Sequence, residues 1–108
     1  MRFEVLLTEG AQGDLDDIVD YIAENNSTSS ADHILNKLAE VVETLASFPQ
    51  RGSHPRELLE LGFREYRQVF FKPYCLIYRA IGKKVYVFVI ADGRRDMQRL
   101  LARRLLGA

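Results

Sequence analysis

Arginine is the side chain with the most chemistry to offer in this sequence, and the second half of the chain holds most of the arginines. Its planar guanidinium binds a phosphate or a carboxylate through two parallel hydrogen bonds. Several arginines on one surface therefore attract nucleic acid or an acidic protein, or stabilise charge on a reacting phosphate. The candidates for such a binding surface are Arg64, Arg67, Arg79, Arg94, Arg95, Arg99 and Arg103.

Structural ion pairing is the alternative role for some of these arginines. Arg67 and Arg95 have possible partners in Asp92 and Asp96, and ion pairs within the fold are the simpler explanation for Arg103 and Arg104. Charge pattern alone does not separate a structural arginine from one that binds a partner.

The net charge of zero conceals a strong asymmetry along the chain. Residues 1–62 carry twelve acidic and four basic side chains, a net charge of −8, whereas residues 63–108 carry eleven basic and three acidic ones, a net charge of +8. Such a division predicts a basic surface built by the second half, unless the two halves pair with each other in the fold.

Other side chains that often do chemistry give no sharp motif. His33 and His54 have no neighbouring ligand residues, so we expect no metal site. Cys75 lies alone in a strand-like segment, where a cysteine is usually a small buried hydrophobe. There is no glycine-rich phosphate loop, and we expect no cofactor. The acidic residues, Asp14 and Asp17 among them, fall on helical segments as a solvated face.

Tyrosines interleave with the strand-like segments of the second half. Aromatic rings on a sheet stack on nucleic-acid bases, but they more often pack against one another across strands. We expect the packing role for at least half of the set, which consists of Tyr66, Tyr74, Tyr78 and Tyr86.

Helical periodicity governs the first half of the chain. Alternation at Phe3, Val5 and Leu7 predicts a short strand, after which apolar residues recur every three or four positions. The prediction is a helix over residues 9–26, capped by Thr8, and a second helix over residues 28–47, opened by a capping box at Ser29 and Asp32. The short connection makes them an antiparallel pair, and Pro49 begins a loop.

From Arg64 onwards the period of the hydrophobic pattern changes to two residues, which is typical of β-strands. Strands are predicted over residues 64–71, 74–81 and 84–91, and two-residue links join them into an antiparallel meander. Gly82 supplies the positive φ of the second turn. Met97, Leu100, Leu101 and Leu105 then follow helical spacing and predict a last helix, with Arg95, Arg99 and Arg103 on the other side. The predicted core comprises Leu15, Ile18, Ile22, Leu38, Val42, Leu45, Val69, Ile77, Val87 and Val89.

The order β-α-α-β-β-β-α belongs to the α+β class, with a helical hairpin packed on a small antiparallel sheet and a C-terminal helix. Residues 1–108 have the length of a single domain. No apolar stretch is long enough for a membrane span, and the segment from Met1 to Glu4 lacks the apolar core of a signal peptide. We therefore expect a cytoplasmic protein without a membrane partner.

Five segments stand in order along the chain: Asp14–Ile18, "LASFPQRG" at residues 45–52, "GFREYR" at 62–67, "YCLIY" at 74–78 and "VIADGRR" at 89–95. In this order and spacing they resemble the RelE/ParE superfamily of toxins from bacterial type II toxin–antitoxin systems. The resemblance implies a compact fold of the order predicted above, a role in plasmid stabilisation, and neutralisation by a cognate antitoxin whose extended segment wraps the toxin. A toxin dimer within that complex is compatible with it.

Two activities occur within this superfamily. RelE-like members cut mRNA on the ribosome, and the resemblance places Arg95 at their arginine after the last strand. Cys75 stands where their third strand has an arginine, and the segment after Arg95 has no tyrosine or histidine. A ribonuclease needs a base and an acid, so these departures favour the ParE-like branch, whose members inhibit DNA gyrase.

We accordingly expect a non-enzymatic gyrase inhibitor with no catalytic residues. One alternative is a ribosome-dependent mRNA endonuclease that acts through Arg67, Arg79 and Arg95, with Tyr78 or Tyr74 as the proton carrier. Another is a decayed member of the family that only binds its antitoxin.

Overall fold

The computed structural model describes residues 2–107 as four helices and four strands. The elements in chain order are β1 (Glu4–Leu7), α1 (Glu9–Asn25), α2 (Thr28–Ser47), α3 (Arg56–Leu59), β2 (Arg67–Phe71), β3 (Tyr74–Ile81), β4 (Lys84–Asp92) and α4 (Met97–Leu106). The α+β class and the predicted order of the main elements are confirmed.

Helix-capping side chains set the ends of the helical hairpin. The Thr8 hydroxyl accepts a hydrogen bond from the Ala11 N–H at 3.2 Å, as predicted for α1. Helix α2 is capped instead by Ser27, whose hydroxyl accepts from the Ser30 N–H at 3.0 Å, so the predicted capping box at Ser29 and Asp32 is wrong. Ser27 is the N-cap because it has extended backbone angles and directly precedes the first helical turn.

The sheet has the strand order β1-β4-β3-β2. Strands β2, β3 and β4 form the predicted antiparallel meander, and Gly82 adopts a φ of +62° in the turn between β3 and β4. Strand β1 pairs with β4 in the parallel direction, from Glu4 opposite Lys84 to Leu7 opposite Val87. The pairing of β1 required the tertiary structure, because alternation predicts a strand but not its partner.

A β-bulge at Phe88 divides the inner strand β4 into two parts. Tyr78 pairs with Val87 and Ile77 pairs with Val89, so Phe88 is the additional residue on β4. A bulge of this type reverses the alternation of side chains between the two faces of a sheet. Val87 therefore packs against the helical hairpin, whereas Val89 packs on the opposite face.

Both faces of the sheet are consequently covered. Helices α1 and α2 pack on one face around Leu38, Leu45 and Val87, and α3 and α4 cover part of the other face around Leu58 and Leu101. Of the predicted core residues, seven are buried, while the remaining three, Leu15, Ile18 and Val42, are partly buried against the first core.

Two boundaries in the middle of the chain differ from those predicted. Strand β2 begins at Arg67 instead of Arg64, and the preceding loop contains the unpredicted short helix α3. The side chain of Leu58 on α3 is completely buried and supports the second core. A single turn of helix has too few residues for its periodicity to be recognised.

Among residues 2–107, no helix combines the length and the apolar composition needed to cross a lipid bilayer.

Candidate functional site

The outer side of α4 and the turn before it present the arginines that the sequence predicted there. Helix α4 buries Leu100 and Leu101 beneath it and ends at Gly107, which has a φ of +72°. Arg95, Arg99 and Arg103 are exposed, and no carboxylate within residues 2–107 lies at ion-pair distance from any of them. We call these three residues the arginine stripe.

A shallow depression of about 500 Å³ lies along the arginine stripe. Its lining consists of Asp96, Gln98, Arg99, Ala102 and Arg103. Asp96 caps α4 by accepting a hydrogen bond from the Arg99 N–H at 3.2 Å, so its carboxylate serves the helix terminus. Arg99 and Arg103 thus offer positive charge on a rigid helix, which suits an anionic partner. Arg95 lies in the turn before α4, where it lines a separate depression with Asp14, Asp17 and Asp92.

Arg104 has the structural ion pair that was expected, whereas the same expectation for its neighbour Arg103 is wrong, because Arg103 is exposed and has no carboxylate at ion-pair distance within residues 2–107. The Arg104 guanidinium donates two hydrogen bonds to the carboxylate of Asp14, at 2.8 and 3.0 Å, and a third to the Phe88 carbonyl at 3.1 Å. The Asp14 carboxylate also accepts from the Ile90 N–H at 2.9 Å. Because β1 ends at Leu7, this ion pair satisfies backbone groups of β4 that have no neighbouring strand there.

The position of Asp14 corrects the expectation that it belongs to a solvated acidic face. Its side chain is only 17% exposed, and it joins α1, β4 and α4. Gly10, one turn earlier on α1, makes room for the ion pair, since a Cβ atom there would lie 2.5 Å from the Arg104 guanidinium. A glycine four residues before an aspartate was the one sequence signal of this site, and it is too common to be diagnostic.

Arg94, not Arg67 or Arg95, pairs with Asp92. The Arg94 guanidinium donates to both oxygens of the Asp92 carboxylate, at 2.9 and 2.6 Å, in the turn before α4. This hydrogen bonding lowers the pKa of Asp92 to about 2. The expected pairing of Arg67 and Arg95 with Asp92 or Asp96 is therefore wrong, because the turn aims the nearest arginine at Asp92.

Arg67 holds the loop that follows α2. Its guanidinium donates to the Gly52 carbonyl at 2.8 Å and lies 3.4 Å from the Gln50 carbonyl. Arg79 lies over the ring of Tyr66, with its central carbon 5.9 Å from the ring centroid. Arg64 is exposed in the loop before β2.

Tyrosines of the sheet divide between the two faces. Tyr66 and Phe88 pack edge to face with ring centroids 5.6 Å apart, and Tyr86 lies beside Phe88. Tyr78 is completely buried on the opposite face, where its hydroxyl accepts a hydrogen bond from the Gly52 N–H at 3.0 Å and burial raises its pKa. Arg79 is the adjacent strand residue, so its side chain projects to the other face from Tyr78.

The residues of the endonuclease alternative do not converge. Arg67 lies opposite Tyr78 in the β2–β3 register, but Tyr78 is inside the core. Arg95 follows the end of β4, at the opposite end of β3 from Arg79, since Asp92 pairs with Tyr74. An exposed phosphate has no single position from which it would meet all four side chains.

Cys75 is buried beside Gln68, whose side-chain oxygen lies 3.5 Å from the sulfur. Burial, together with the charge of Glu57, raises the pKa of the Cys75 thiol to about 12. The thiol is therefore neutral at physiological pH and is a poor nucleophile. Within the part of the chain that the structure describes, no three His, Cys, Asp or Glu side chains form a group that would hold a metal ion.

The raised pKa of Cys75 predicts a pH dependence of stability. The unfolded thiol ionises near pH 8.5 and the folded one near 12, so the unfolded chain releases its proton first. Between these values the free energy of unfolding should fall by up to about 1.4 kcal/mol per pH unit because of this group. Urea titrations of the wild type and of Cys75→Ala at pH 7 to 10.5 measure the difference, and parallel curves would contradict the prediction.

Gly52 is the residue whose replacement by alanine should disturb the loop most. A Cβ atom there would lie 2.5 Å from the Gln68 carbonyl oxygen and 2.7 Å from the Tyr78 hydroxyl oxygen. Gly52→Ala is expected to lower the free energy of unfolding by about 3 kcal/mol, because the backbone of β2 must shift.

The matched control for that substitution is Gly13→Ala. Gly13 lies inside α1 with nothing within 4 Å of its would-be Cβ atom, so alanine should stabilise the helix by about 0.5–1 kcal/mol. Thermal unfolding of both variants checks the pair, and equal midpoints would be incompatible with the packing described at Gly52.

The chain is similar to known proteins in sequence and in fold. The model of the family "ParE toxin of type II toxin-antitoxin system, parDE" matches residues 5–97. Toxin ParE3 from Caulobacter vibrioides is 32% identical over 100 residues, which cover 93% of this chain and 96% of that protein.

A solved structure, described as a chromosomal ParDE toxin–antitoxin system from P. aeruginosa, has the same fold. It superposes with a TM-score of 0.71 at 21% identity, over 84% of this chain and 96% of the other. The family model covers both long helices and all of the sheet except Glu4, and the relative matches nearly from end to end. The chain therefore belongs to the ParE toxin family of type II toxin–antitoxin systems.

Proposed function

We propose that this ParE-family toxin inhibits DNA gyrase by binding it, without catalysing a reaction, and that a cognate antitoxin neutralises it in the cytoplasm. The observation that carries the proposal is the arginine stripe, whose three guanidinium groups are exposed and have no carboxylate at ion-pair distance within residues 2–107. Gyrase with its bound DNA offers phosphates and acidic side chains to such a surface.

The support beneath the stripe suits a binding surface. Leu100 and Leu101 anchor α4 in the second core, and Arg104 ties its end to Asp14 and β4. A rigid support lowers the conformational entropy that is lost when the arginines bind a target. Arg64 and Arg79 are basic side chains outside the stripe, whereas Arg67 and Arg94 contribute charge while they remain bonded to the toxin itself.

A role as an mRNA endonuclease is the less favoured alternative. Tyr78 is buried and its hydroxyl is occupied by Gly52, while Cys75 is a neutral, buried thiol. Arginine is protonated at neutral pH and is a poor base. The remaining tyrosine candidate, Tyr74, is half-buried and burial raises its pKa, which leaves it without the ready proton exchange that the reaction needs.

The test is a supercoiling assay with purified gyrase, ATP and relaxed plasmid. We expect the toxin to block supercoiling and to increase the amount of cleaved plasmid. A parallel reaction with ribosomes, mRNA and primer extension should show intact message. Site-specific cuts in the mRNA, with supercoiling unaffected, would refute gyrase inhibition in favour of the endonuclease.

The antitoxin is proposed to be an acidic, amphipathic segment that folds on the basic surface of the meander and α4. Co-expression of the reading frame upstream of the toxin should restore growth and yield a complex that copurifies. Undiminished toxicity together with failure to recover a complex would count against this partner.

A further inference from the structure

Helix α4 is attached to the rest of the protein in two different ways. Leu100 and Leu101 bury apolar side chains in the second core, on the face of the sheet opposite the helical hairpin. Arg104 instead reaches the hairpin, because its guanidinium donates to the carboxylate of Asp14 on α1 at 2.8 and 3.0 Å. No other side chain of α4 donates a hydrogen bond to another element within residues 2–107, so the Asp14–Arg104 pair is the polar link between the two layers.

The place of Arg104 within α4 gives this link control over the direction of the helix. Leu100 and Arg104 are four residues apart and lie on one side of α4, whereas Arg99 and Arg103 are four apart on the neighbouring side. Arg104 also belongs to the last turn, and the ends of helices open most readily. A bonded Arg104 therefore holds the last turn of α4 and fixes the side on which Arg103 projects.

Two features of the neighbouring elements prepare the position that Arg104 occupies. The carboxylate of Asp14 accepts a hydrogen bond from the Ile90 N–H at 2.9 Å, so β4 orients it independently of α4. Gly10 has an ordinary helical conformation without a positive φ, and glycine weakens a helix relative to alanine. The close approach of the Arg104 guanidinium, 2.5 Å from a would-be Cβ atom, is the structural reason for a glycine at this place.

We propose that Gly10 and Asp14 are positioning residues of the toxin, which hold α4 through Arg104 so that Arg99 and Arg103 meet the target in a fixed arrangement. This inference rests on the proposed function, to which it adds two residues of α1 that lie outside the arginine stripe. When Arg104 is displaced, the stripe keeps all its arginines, but binding must order the end of α4 again and loses conformational entropy.

The central test compares Gly10→Ala with Gly13→Ala. Both replace a glycine of α1 without changing a charge, but only the Cβ atom at residue 10 meets the guanidinium, since nothing lies within 4 Å of the one at residue 13. The contact is with the end of a flexible side chain, so Arg104 moves aside and α1 keeps its place. We expect Gly10→Ala to need about tenfold more toxin for half-maximal inhibition of supercoiling, because two arginines must be ordered on binding. Gly13→Ala should match the wild type.

Amide hydrogen exchange tests the attachment of α4 without gyrase. In Gly10→Ala the amides of residues 103–106 should exchange about tenfold faster than in the wild type, because hydrogen bonds between charged groups are lost. In Gly13→Ala the same amides should exchange no faster than in the wild type.

A second pair of variants changes Asp14 itself. Asp14→Asn still offers an oxygen to the Ile90 N–H but loses the charge that holds Arg104, and it should weaken inhibition by about tenfold. Asp20→Asn makes the same change at an exposed position of α1 and should leave inhibition unchanged. Asp14→Glu retains a carboxylate, so its inhibition should lie between those of Asp14→Asn and the wild type.

Leu38→Ala separates positioning from stability. Leu38 is buried in the first core, and its truncation should lower the melting temperature at least as far as Gly10→Ala does, while α4 stays attached. At a temperature where both variants are fully folded, we expect Leu38→Ala to inhibit supercoiling as the wild type does. If the Asp14–Arg104 pair were merely structural, inhibition would follow the melting temperature in both variants.

Two results would overturn the inference. One is equal inhibition by Gly10→Ala and Gly13→Ala, and the other is a loss of inhibition in Leu38→Ala as large as that in Gly10→Ala. Growth inhibition by the same variants is measured in parallel, since it does not presuppose the target. A wild-type toxin that stops growth but leaves supercoiling unaffected would refute the proposed function, and the order of the variants in the growth assay would then decide the positioning role.

Discussion

Arg104→Ala is expected to lower the free energy of unfolding by about 3 kcal/mol, although the adjacent Arg103→Ala should change it by less than about 0.5 kcal/mol. Without the guanidinium, the carboxylate of Asp14 keeps only its hydrogen bond from Ile90, and the Phe88 carbonyl loses its donor. The side chains of Arg104 and Asp14 are 23% and 17% exposed, so partial solvation keeps the loss at the lower end of the range for buried pairs.

Thermal unfolding measures this difference directly. For a chain of about 100 residues, 3 kcal/mol corresponds to a fall in melting temperature of roughly 12–24 °C. Arg104→Lys retains the charge but not the paired hydrogen bonds, and it should lie between the wild type and Arg104→Ala. Equal melting temperatures for Arg103→Ala and Arg104→Ala would show that the ion pair contributes nothing to the attachment of α4.

Simultaneous replacement of Arg95, Arg99 and Arg103 by alanine should abolish growth inhibition while the protein remains folded. Each arginine that binds a phosphate or a carboxylate contributes on the order of tenfold in affinity, so losing three weakens binding to the target by about 1,000-fold. Because all three are exposed, the melting temperature should stay within a few degrees of the wild type.

The control for the arginine stripe removes the same positive charge elsewhere. Alanine at the exposed residues Arg56, Lys72 and Lys83 lowers the net charge equally but leaves the stripe intact. Supercoiling titrations at two salt concentrations separate the effects, since specific ionic contacts also make inhibition depend on salt. If the control triple variant loses inhibition as completely as the stripe variant, the effect is one of net charge and the stripe is not the binding surface.

Much of the fold was predictable because its signals are local. The helical spacing of Leu38 and Leu45 indicates that one face of α2 is buried, whichever elements cover it. The alternation along β3 indicates a buried face of that strand in the same way. Thr8 caps α1 through a nearby N–H, and Gly82 adopts the positive φ of the turn between β3 and β4. Both roles involve only neighbouring residues, so residue type was enough to predict them. The order and spacing of the family segments likewise needed no tertiary information, and they predicted the ParE family correctly.

The candidate site was predictable only in part. The exposure of Arg95, Arg99 and Arg103 agrees with their spacing around one helix and in the turn before it, which is again a local property. Their binding of a partner stays a prediction.

Tertiary structure alone decided how distant residues share their charges and hydrogen bonds. Asp14 and Arg104 are ninety residues apart, and they meet because the short β1 leaves part of β4 without a neighbouring strand. The bulge at Phe88 placed Val87 and Val89 in different cores, although both belong to one alternating segment. Sequence determines where a chain is helical or extended, since those preferences act over a few residues. Some backbone N–H and C=O groups are left without a hydrogen-bond partner when the elements pack and exclude water. Only the packed structure decides which groups these are and which side chains bond to them.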